Sequence, residues 1–233
     1  MGFTDHAKTI PVIVGTVMAE FGFGPGVPYN TRLTEGKSRR TCCARRFGDA
    51  AADTWRSCSW ECYPEKNLTG PAGAGRLLPA SPASDFARCN RRSIPKLPTY
   101  NYLFTYEFPM DDGKPAWHCS DIPFFFHNTD KVLICNIPGV SDQLEDRMAS
   151  AWVNFARYGV PSCPSLPEWT PCKPGDVATM IFDRDCKVLH NFDDALYEAF
   201  ALVAPQPFCA EEKRHRSHRS RHWRNLPGAH SAG

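Results

Sequence analysis

The sequence predicts an α/β fold, and that prediction depends on two candidate strands and one long amphipathic helix. Residues 10–16 (IPVIVGT) form a short apolar run rich in β-branched side chains, which is typical of a strand buried on both faces of a parallel sheet. Residues 99–108 (TYNYLFTYEF) alternate aromatic and polar side chains and are followed by Pro109, which predicts a second strand. The helix is predicted at Ser141–Tyr158.

The predicted helix carries a continuous apolar stripe at helical spacing. Ser141 or Asp142 is suited to cap its start, because both side chains accept hydrogen bonds from exposed backbone N–H groups. Gly159 is suited to end it, because glycine adopts the left-handed conformation that follows many helices. The stripe consists of Leu144, Met148, Ala151, Trp152 and Phe155.

The C-terminal third continues the α/β pattern. Residues 179–182 and 186–189 predict one more strand or a hairpin, and residues 193–204 (DDALYEAFALVA) predict a final amphipathic helix opened by an aspartate. We therefore expect one domain over residues 1–208, followed by a basic, disordered tail at 209–233.

Length and composition limit the class of protein. The chain has 233 residues, and it contains no apolar run approaching the roughly 18 to 20 residues of a membrane helix. No basic segment followed by an apolar core marks a signal peptide near Met1. Eleven cysteines in a chain of this length do not suggest an extracellular disulfide framework. We expect reduced thiols and a cytoplasmic location.

The small net charge of +2 conceals two basic tracts. Residues 32–96 carry a net charge of +7 and residues 211–224 a net charge of +4, whereas the remainder of the chain carries −9. The first of these, which we call the middle tract, shows no helical or strand periodicity that continues for more than a few residues. An irregular conformation is therefore expected over residues 32–97. The sequence therefore predicts an acidic body with two basic tracts.

His118 is the strongest candidate for chemistry from position alone. It follows the second predicted strand in the segment AWHCSDIPFFF, at residues 116–126, where open α/β sheets place their sites. The apolar run at residues 122–126 is expected to pack beneath the loop and hold it. The alternative is a structural histidine satisfied by local hydrogen bonds.

Two neighbouring segments resemble the type-B carboxylesterase family, a branch of the α/β-hydrolases that includes para-nitrobenzyl esterases and cholinesterases. They are YNYLFTYEF at residues 100–108 and GKPAWHCSDIPFFFHN at residues 113–128. Further similar segments follow the family's order and extend the resemblance over residues 9–30 and 99–204. They are GTVMAEF, LEDRMASAWVNFARYGVPS, LPEWTP and ATMIFD.

The resemblance implies the C-terminal part of an α/β-hydrolase fold, with an incomplete sheet and packing helices. It implies that His118 is the general base of a Ser-Glu-His triad and that Glu20, in the segment GTVMAEF, orients it. The chemistry agrees with this assignment, because imidazole accepts the serine proton and a carboxylate fixes its tautomer. The chain order also agrees, since these hydrolases place the acid before the histidine. Without the resemblance, Glu20 is a solvated carboxylate beyond a strand end.

The nucleophile that the family requires is not in this sequence. Only nineteen residues precede Glu20, and none of them is a serine on a G-x-S-x-G turn. Two partial matches, at Gly139-Val140-Ser141 and at residues 229–233, lack the glycine pattern or the following helix. We therefore expect no measurable ester hydrolysis by this chain alone, and a missing N-terminal esterase segment as its partner. The family substrate is a small-molecule carboxylic ester, and no cofactor is implied. The alternative is a non-catalytic binding or interaction module.

The two basic tracts allow several interpretations: metal binding, nonspecific binding of nucleic acid or lipid, and a shifted reading frame. The adjacent and C-x-x-x-C cysteines of the middle tract fit the paired C-x-x-C spacing of zinc sites poorly, so no metal is predicted; they are Cys42, Cys43, Cys58 and Cys62. The tail could bind nucleic acid or anionic lipid nonspecifically, but no nucleic-acid fold accompanies it, so no specific nucleic-acid or membrane partner is predicted. Family-like islands between Arg-, Cys- and Pro-rich stretches suggest shifts of reading frame within residues 32–97 and again before the tail.

Overall fold

A four-stranded mixed sheet is the centre of the computed structural model, which describes residues 5–6, 9–18, 62, 98–110 and 113–195. The elements in chain order are β1 (Val12–Val17), β2 (Thr99–Phe104), β3 (Glu107–Phe108), β4 (Lys114–Pro115), α1 (Ile122–Phe125), α2 (Ser141–Tyr158), β5 (Ala178–Phe182) and β6 (Lys187–His190). The strand order in the sheet is β1-β2-β5-β6; the first three strands are parallel, and the fourth is antiparallel to its neighbour. Strands β3 and β4 form a separate antiparallel pair.

The parallel register brings the carboxyl ends of three strands to one edge of the sheet, which we call the carboxyl edge. Val17 at the end of β1 lies opposite Phe104 at the end of β2, and Phe104 lies opposite Phe182 at the end of β5. Backbone hydrogen bonds continue past the strand ends: the Met18 N–H donates to the Phe104 carbonyl at 2.9 Å, and the Thr105 N–H donates to the Phe182 carbonyl at 2.9 Å.

Strand β2 differs from its prediction in two ways. It is buried on both faces, with Tyr102 half-buried and the rest fully buried, because β1 and β5 flank it inside the sheet. It also ends at Phe104, and the chain then turns away so that Glu107 and Phe108 pair with β4. The first strand is confirmed with a shift to Val12–Val17, but its predicted burial on both faces is wrong: all of it except Val17 is half-buried, because β1 lies at the edge of the described sheet. The predicted hairpin is confirmed as β5 and β6.

Helix α2 has the predicted bounds, and it packs through the predicted stripe. Leu144, Met148 and Ala151 are fully buried, and Trp152 and Phe155 are half-buried against the core. Gly159 ends the helix in the left-handed conformation, with φ +72°, as predicted.

The predicted cap at the start of α2 is wrong. Val140 occupies the N-cap position, and no side chain there makes a capping hydrogen bond. The hydroxyl of Ser141 instead accepts a hydrogen bond from the Ile137 N–H at 2.9 Å and contacts Asn136 Oδ1 at 3.0 Å. The serine therefore ties the helix start to the preceding loop, because its side chain lies one residue inside the helix.

Aromatic rings join the sheet to both helices in an aromatic cluster made of Tyr102, Phe125, Trp152, Trp169 and Phe182. The Tyr102 ring meets Phe125, Trp152 and Phe182 edge-on, with ring centroids 5.3 to 5.9 Å apart. Trp152 of α2 stacks on Phe125 of α1 at 4.1 Å and lies 6.2 Å from Trp169. Edge-on and offset ring pairs are favourable beyond the apolar area they bury.

Several predictions fall outside the described residues. Glu20, nearly all of the middle tract at 32–97, the tail at 209–233 and most of the predicted helix at 193–204 belong to this group. Among the helices that are described, none has the length and apolar character that crossing a bilayer requires.

Candidate active site

His118 lies in a tight turn that follows strand β4, and its side chain is exposed. The turn is closed by a hydrogen bond from the Ser120 N–H to the Trp117 carbonyl, at 2.9 Å. Cys119 adopts a left-handed backbone conformation, with φ +65°, which is uncommon for a residue with a side chain. The chain reaches this turn from the carboxyl edge, because β2 ends there and only the β3–β4 pair intervenes.

Aromatic packing holds the turn on the side that precedes His118. The Trp117 ring lies against the buried Phe108 ring, with centroids 4.4 Å apart. The Lys114 ammonium lies 5.3 Å from the centroid of the Trp117 ring, at cation–π distance.

A hydrogen bond holds the turn on the side that follows His118. The carboxylate of Asp121 is buried and accepts a hydrogen bond from the Tyr102 hydroxyl at 3.1 Å. The Asp121 carbonyl accepts the Phe124 and Phe125 N–H groups at 3.0 and 3.3 Å, which begins helix α1. The turn is therefore tied directly to the central strand β2.

The apolar run at residues 122–126 supports the turn in part, as predicted. Phe124 is fully buried and contacts the Phe104 and Tyr106 rings at centroid distances of 5.1 and 5.2 Å. The prediction is wrong for Ile122 and Phe126, which are 43% and 74% exposed, because a helix of four residues can turn only one side to the core.

Glu20 itself is not described, but the strand that leads to it is. Strand β1 ends at Val17, and the Met18 N–H is bonded to the carbonyl of Phe104, the last residue of β2. Met18, which directly follows β1 and precedes Glu20 by two residues, is therefore a hydrogen-bonded neighbour of the end of β2, which leads to His118. Parallel strands bring such residues to the same edge of a sheet.

Gly15 makes room for the ring that anchors the turn. A side chain carbon placed on Gly15 would lie 2.1 Å from Cδ1 of Tyr102, so the ring occupies the space that any other residue would need. Strand pairing sets Gly15 directly opposite Tyr102. The glycine of the GTVMAEF segment thus allows Tyr102 to reach Asp121.

Sequence reasoning missed the roles of Tyr102 and Asp121. The signal available for Asp121 was local: an aspartate followed at the second position by proline marks a helix start. The partnership with Tyr102 carried no sequence signal, because nineteen positions separate the two residues.

Two further observations concern a buried hydroxyl beside His118 and the possibility of a metal site. Ser120 is buried, and its hydroxyl has no hydrogen-bond partner among the residues that the structure describes. Within that same part of the chain, no group of three or more His, Cys, Asp or Glu side chains is placed to hold a metal ion.

A sequence model of the carboxylesterase family matches residues 74–199, which is more than half of the chain. This chain belongs to the carboxylesterase family. The match includes His118 and the whole of α2, and it begins inside the basic middle tract. The predicted resemblance to this family is thereby confirmed, and the solved structures below confirm the α/β-hydrolase fold.

Curated relatives of this carboxylesterase-family chain include two named hydrolases. The fumonisin B1 esterase of Sphingopyxis macrogoltabida is 30% identical over 70% of this chain and 30% of its own length. The phenmedipham hydrolase of Pseudarthrobacter oxydans is 27% identical over 74% of this chain and 35% of its own length. The chain therefore spans about a third of the curated relatives that it matches.

Solved structures show the same fold. An esterase from Clostridium hathewayi that can hydrolyze aliphatic aromatic polyesters is 39% identical, with a TM-score of 0.72 over 87% of this chain and 40% of its own. A structure of PNB esterase has a TM-score of 0.56 at 22% identity, over 84% of this chain and 39% of its own, and supports the fold alone.

Proposed function

We propose that this chain supplies the acid and the base of a serine-esterase triad, Glu20 and His118, within a carboxylic ester hydrolase. One observation carries the proposal: the N–H of Met18, which directly follows β1 and precedes Glu20 by two residues, donates to the carbonyl of Phe104 at the end of β2, which leads to the His118 turn. Family membership supports it, because the matched residues 74–199 include His118. Glu20 lies before that match, and its place ahead of His118 agrees with the chain order of these hydrolases.

The proposed chemistry divides between two residues. The neutral imidazole of His118 accepts the proton of a serine hydroxyl as that oxygen attacks the ester carbonyl, and it then returns the proton to the leaving alcohol. The Glu20 carboxylate binds the other ring nitrogen, which fixes the tautomer and stabilises the imidazolium. The exposure of His118 supports this role, because the serine must approach the ring from outside the described residues.

The nucleophile in this proposal comes from another polypeptide segment. The 233 residues contain no G-x-S-x-G sequence, so the serine and the oxyanion-hole N–H groups are supplied by an N-terminal esterase segment. The proposed substrates are small-molecule carboxylic esters, and the chain alone is expected to be inactive.

The exposed thiol of Cys119 and the buried thiol of Cys135 are not in disulfides, which supports a proposed location in a reducing compartment such as the cytoplasm.

The first test measures hydrolysis of para-nitrophenyl acetate by the purified chain. We expect the rate to equal that of a His118→Ala variant, because loss of the serine and the oxyanion hole leaves almost no catalysis. Turnover well above that variant would show that the chain has its own nucleophile and would contradict the proposal.

The second test restores the nucleophile. The chain is coexpressed with the N-terminal part of the Clostridium hathewayi esterase, the relative with 39% identity. We expect ester hydrolysis to appear and to fall roughly 1,000-fold or more with His118→Ala or Glu20→Gln. His190→Ala is the matched control, because His190 is also exposed and bonded to a carboxylate, Asp176, at 2.6 Å. Stable binding of the segment or of an ester without turnover would favour a non-catalytic module.

A further inference from the structure

His127 lies between two carboxylates of helix α2. Its Nε2 atom is 2.5 Å from Oδ1 of Asp146, and its Nδ1 atom is 3.8 Å from Oε1 of Glu145. The residue follows α1 by two positions and adopts a left-handed backbone conformation, with φ +53°. This conformation is uncommon for a residue with a side chain, although histidine and asparagine adopt it more often than most, and the contacts of the ring help to hold it here.

Glu145 extends the contact into the protein. It is 5% exposed, and its second oxygen, Oε2, accepts a hydrogen bond from the Thr129 N–H at 2.8 Å. Two adjacent carboxylates on α2 therefore bind both ends of the segment at residues 127–129, immediately beyond α1.

We propose that His127, Glu145 and Asp146 form a pH-sensitive latch that holds the end of α1 on α2 while His127 is protonated. Only the imidazolium has two N–H donors, so only the protonated ring attracts both carboxylates. Loss of the proton leaves at most one donor for two negative charges, and the left-handed conformation of His127 then loses its support. We call this group the His127 latch.

The two carboxylates shift the pKa of His127 in the direction that the proposed latch requires. The hydrogen bond to Asp146, with a smaller contribution from the charge of Glu145, raises the pKa of His127 above its ordinary value of 6.5, although partial burial opposes the change. Asp130 and Lys131 in the following turn are exposed and paired with each other. Asp142 and Arg147 are the charged residues closest in sequence to the two carboxylates on α2. The latch is therefore fully closed below pH 6.5 and opens as pH rises through the raised pKa.

Opening of the His127 latch should also affect the other end of α1. The helix is only four residues long, and its first turn is bonded to Asp121, three residues after His118. The latch is a polar contact at one end of this short helix, and the bond between Tyr102 and Asp121 is a polar contact at the other end.

The test follows hydrogen exchange of three amides in the full chain between pH 5.5 and 9. The N–H groups of Phe126, Asn128 and Thr129 donate to Ile122, Pro123 and Glu145 respectively, so they report on the latched segment. Each protection factor is taken relative to the intrinsic rate at the same pH. We expect protection to fall roughly tenfold above the His127 pKa, which is read separately from the ring protons by NMR.

Two variants distinguish the effect of the His127 latch from a general change in the stability of the chain. His127→Asn keeps the left-handed conformation, which asparagine tolerates, and should make protection independent of pH. Asp146→Asn should lower the pKa of His127 toward 6.5 and move the loss of protection to lower pH with it. Asp142→Asn is the matched control, because Asp142 is exposed one turn earlier on α2; the pH profile should not move. A His127 pKa at or below 6.5, an unchanged profile in His127→Asn, or no protection of these amides at any pH would overturn the proposal.

Discussion

The hydroxyl of Tyr102 donates a hydrogen bond to the buried carboxylate of Asp121, 3.1 Å away, and so ties the turn that holds His118 to the central strand of the sheet. The same tyrosine ring lies over Gly15 of the adjacent strand. The two strand segments that lead toward the proposed acid and base are therefore connected through one aromatic side chain.

Removal of the Tyr102 hydroxyl should weaken this connection. We expect Tyr102→Phe to lower the free energy of unfolding by about 1 to 2 kcal/mol, because the buried carboxylate of Asp121 loses a hydrogen bond. Urea denaturation followed by far-UV circular dichroism measures the change. Tyr158→Phe is the matched control, since Tyr158 is 72% exposed, and it should change nothing. Equal stabilities of the two variants would contradict the anchoring role.

A side chain on Gly15 should be much more damaging. We expect Gly15→Ala to cost about 1 to 3 kcal/mol or more, because the new carbon would overlap the Tyr102 ring. Thermal unfolding of Gly15→Ala, Tyr102→Ala and the double variant measures the coupling between them. The double variant should be more stable than the sum of the single effects predicts, because it removes the overlap. Simple additivity would mean that the ring and the glycine do not compete for space.

Substitution of Ser120 should be neutral or stabilising, although it is two residues from the proposed base. Its buried hydroxyl has no hydrogen-bond partner among the described residues, so Ser120→Ala removes a desolvated polar group. Ser141→Ala is the comparison, because Ser141 is also fully buried but bonds to Ile137 and Asn136. We expect Ser141→Ala to cost about 1 kcal/mol and Ser120→Ala nothing, as measured by urea denaturation. A comparable loss in both would reveal a partner for Ser120.

The chain should lose stability at alkaline pH. Burial raises the pKa of the Cys135 thiol from 9.0 to about 11 and the pKa of the Tyr106 hydroxyl from 10.0 to about 12. The neutral forms are favoured in the folded state, so their contribution is complete below pH 9 and is lost as pH rises toward 11 and 12. We expect the free energy of unfolding to fall by roughly 1 to 3 kcal/mol between pH 8 and 11.

Two substitutions check the origin of this alkaline loss. Cys135→Ala and Tyr106→Phe should each flatten the pH profile, whatever their effect on stability at pH 8. Tyr158→Phe should leave the profile as it is, because Tyr158 is exposed. A profile with the same slope in all three variants would assign the loss to other groups.

The sequence predicted the elements whose signals are local. Helix α2 was predicted with its observed bounds, because its apolar stripe and Gly159 are features of one continuous segment. The cap was wrong, because Ser141 binds the preceding loop through contacts that a helical pattern does not encode. Strand β2 was predicted too long, because its end at Phe104 depends on where the neighbouring strands end.

The sequence suggested which residues form the candidate site, but it did not reveal the contacts that hold those residues in place. His118 was predicted from its position after a strand and from the family's motif, and it lies in an exposed turn that follows β4; its role stays a prediction. The bond between Tyr102 and Asp121, and the fit of Tyr102 over Gly15, join segments that are distant in the chain. Such contacts depend on strand register, which the sequence pattern leaves undetermined.

The aromatic cluster gives the chain a built-in optical reporter. Trp152 is held 4.1 Å from the Phe125 ring and 6.2 Å from the Trp169 ring, at fixed angles and in an asymmetric setting. Rings ordered in this way produce a near-ultraviolet circular dichroism signal, which disappears when side-chain packing is lost even if helices persist. The docking of α2 on the sheet can therefore be followed in the unlabelled, unsubstituted chain.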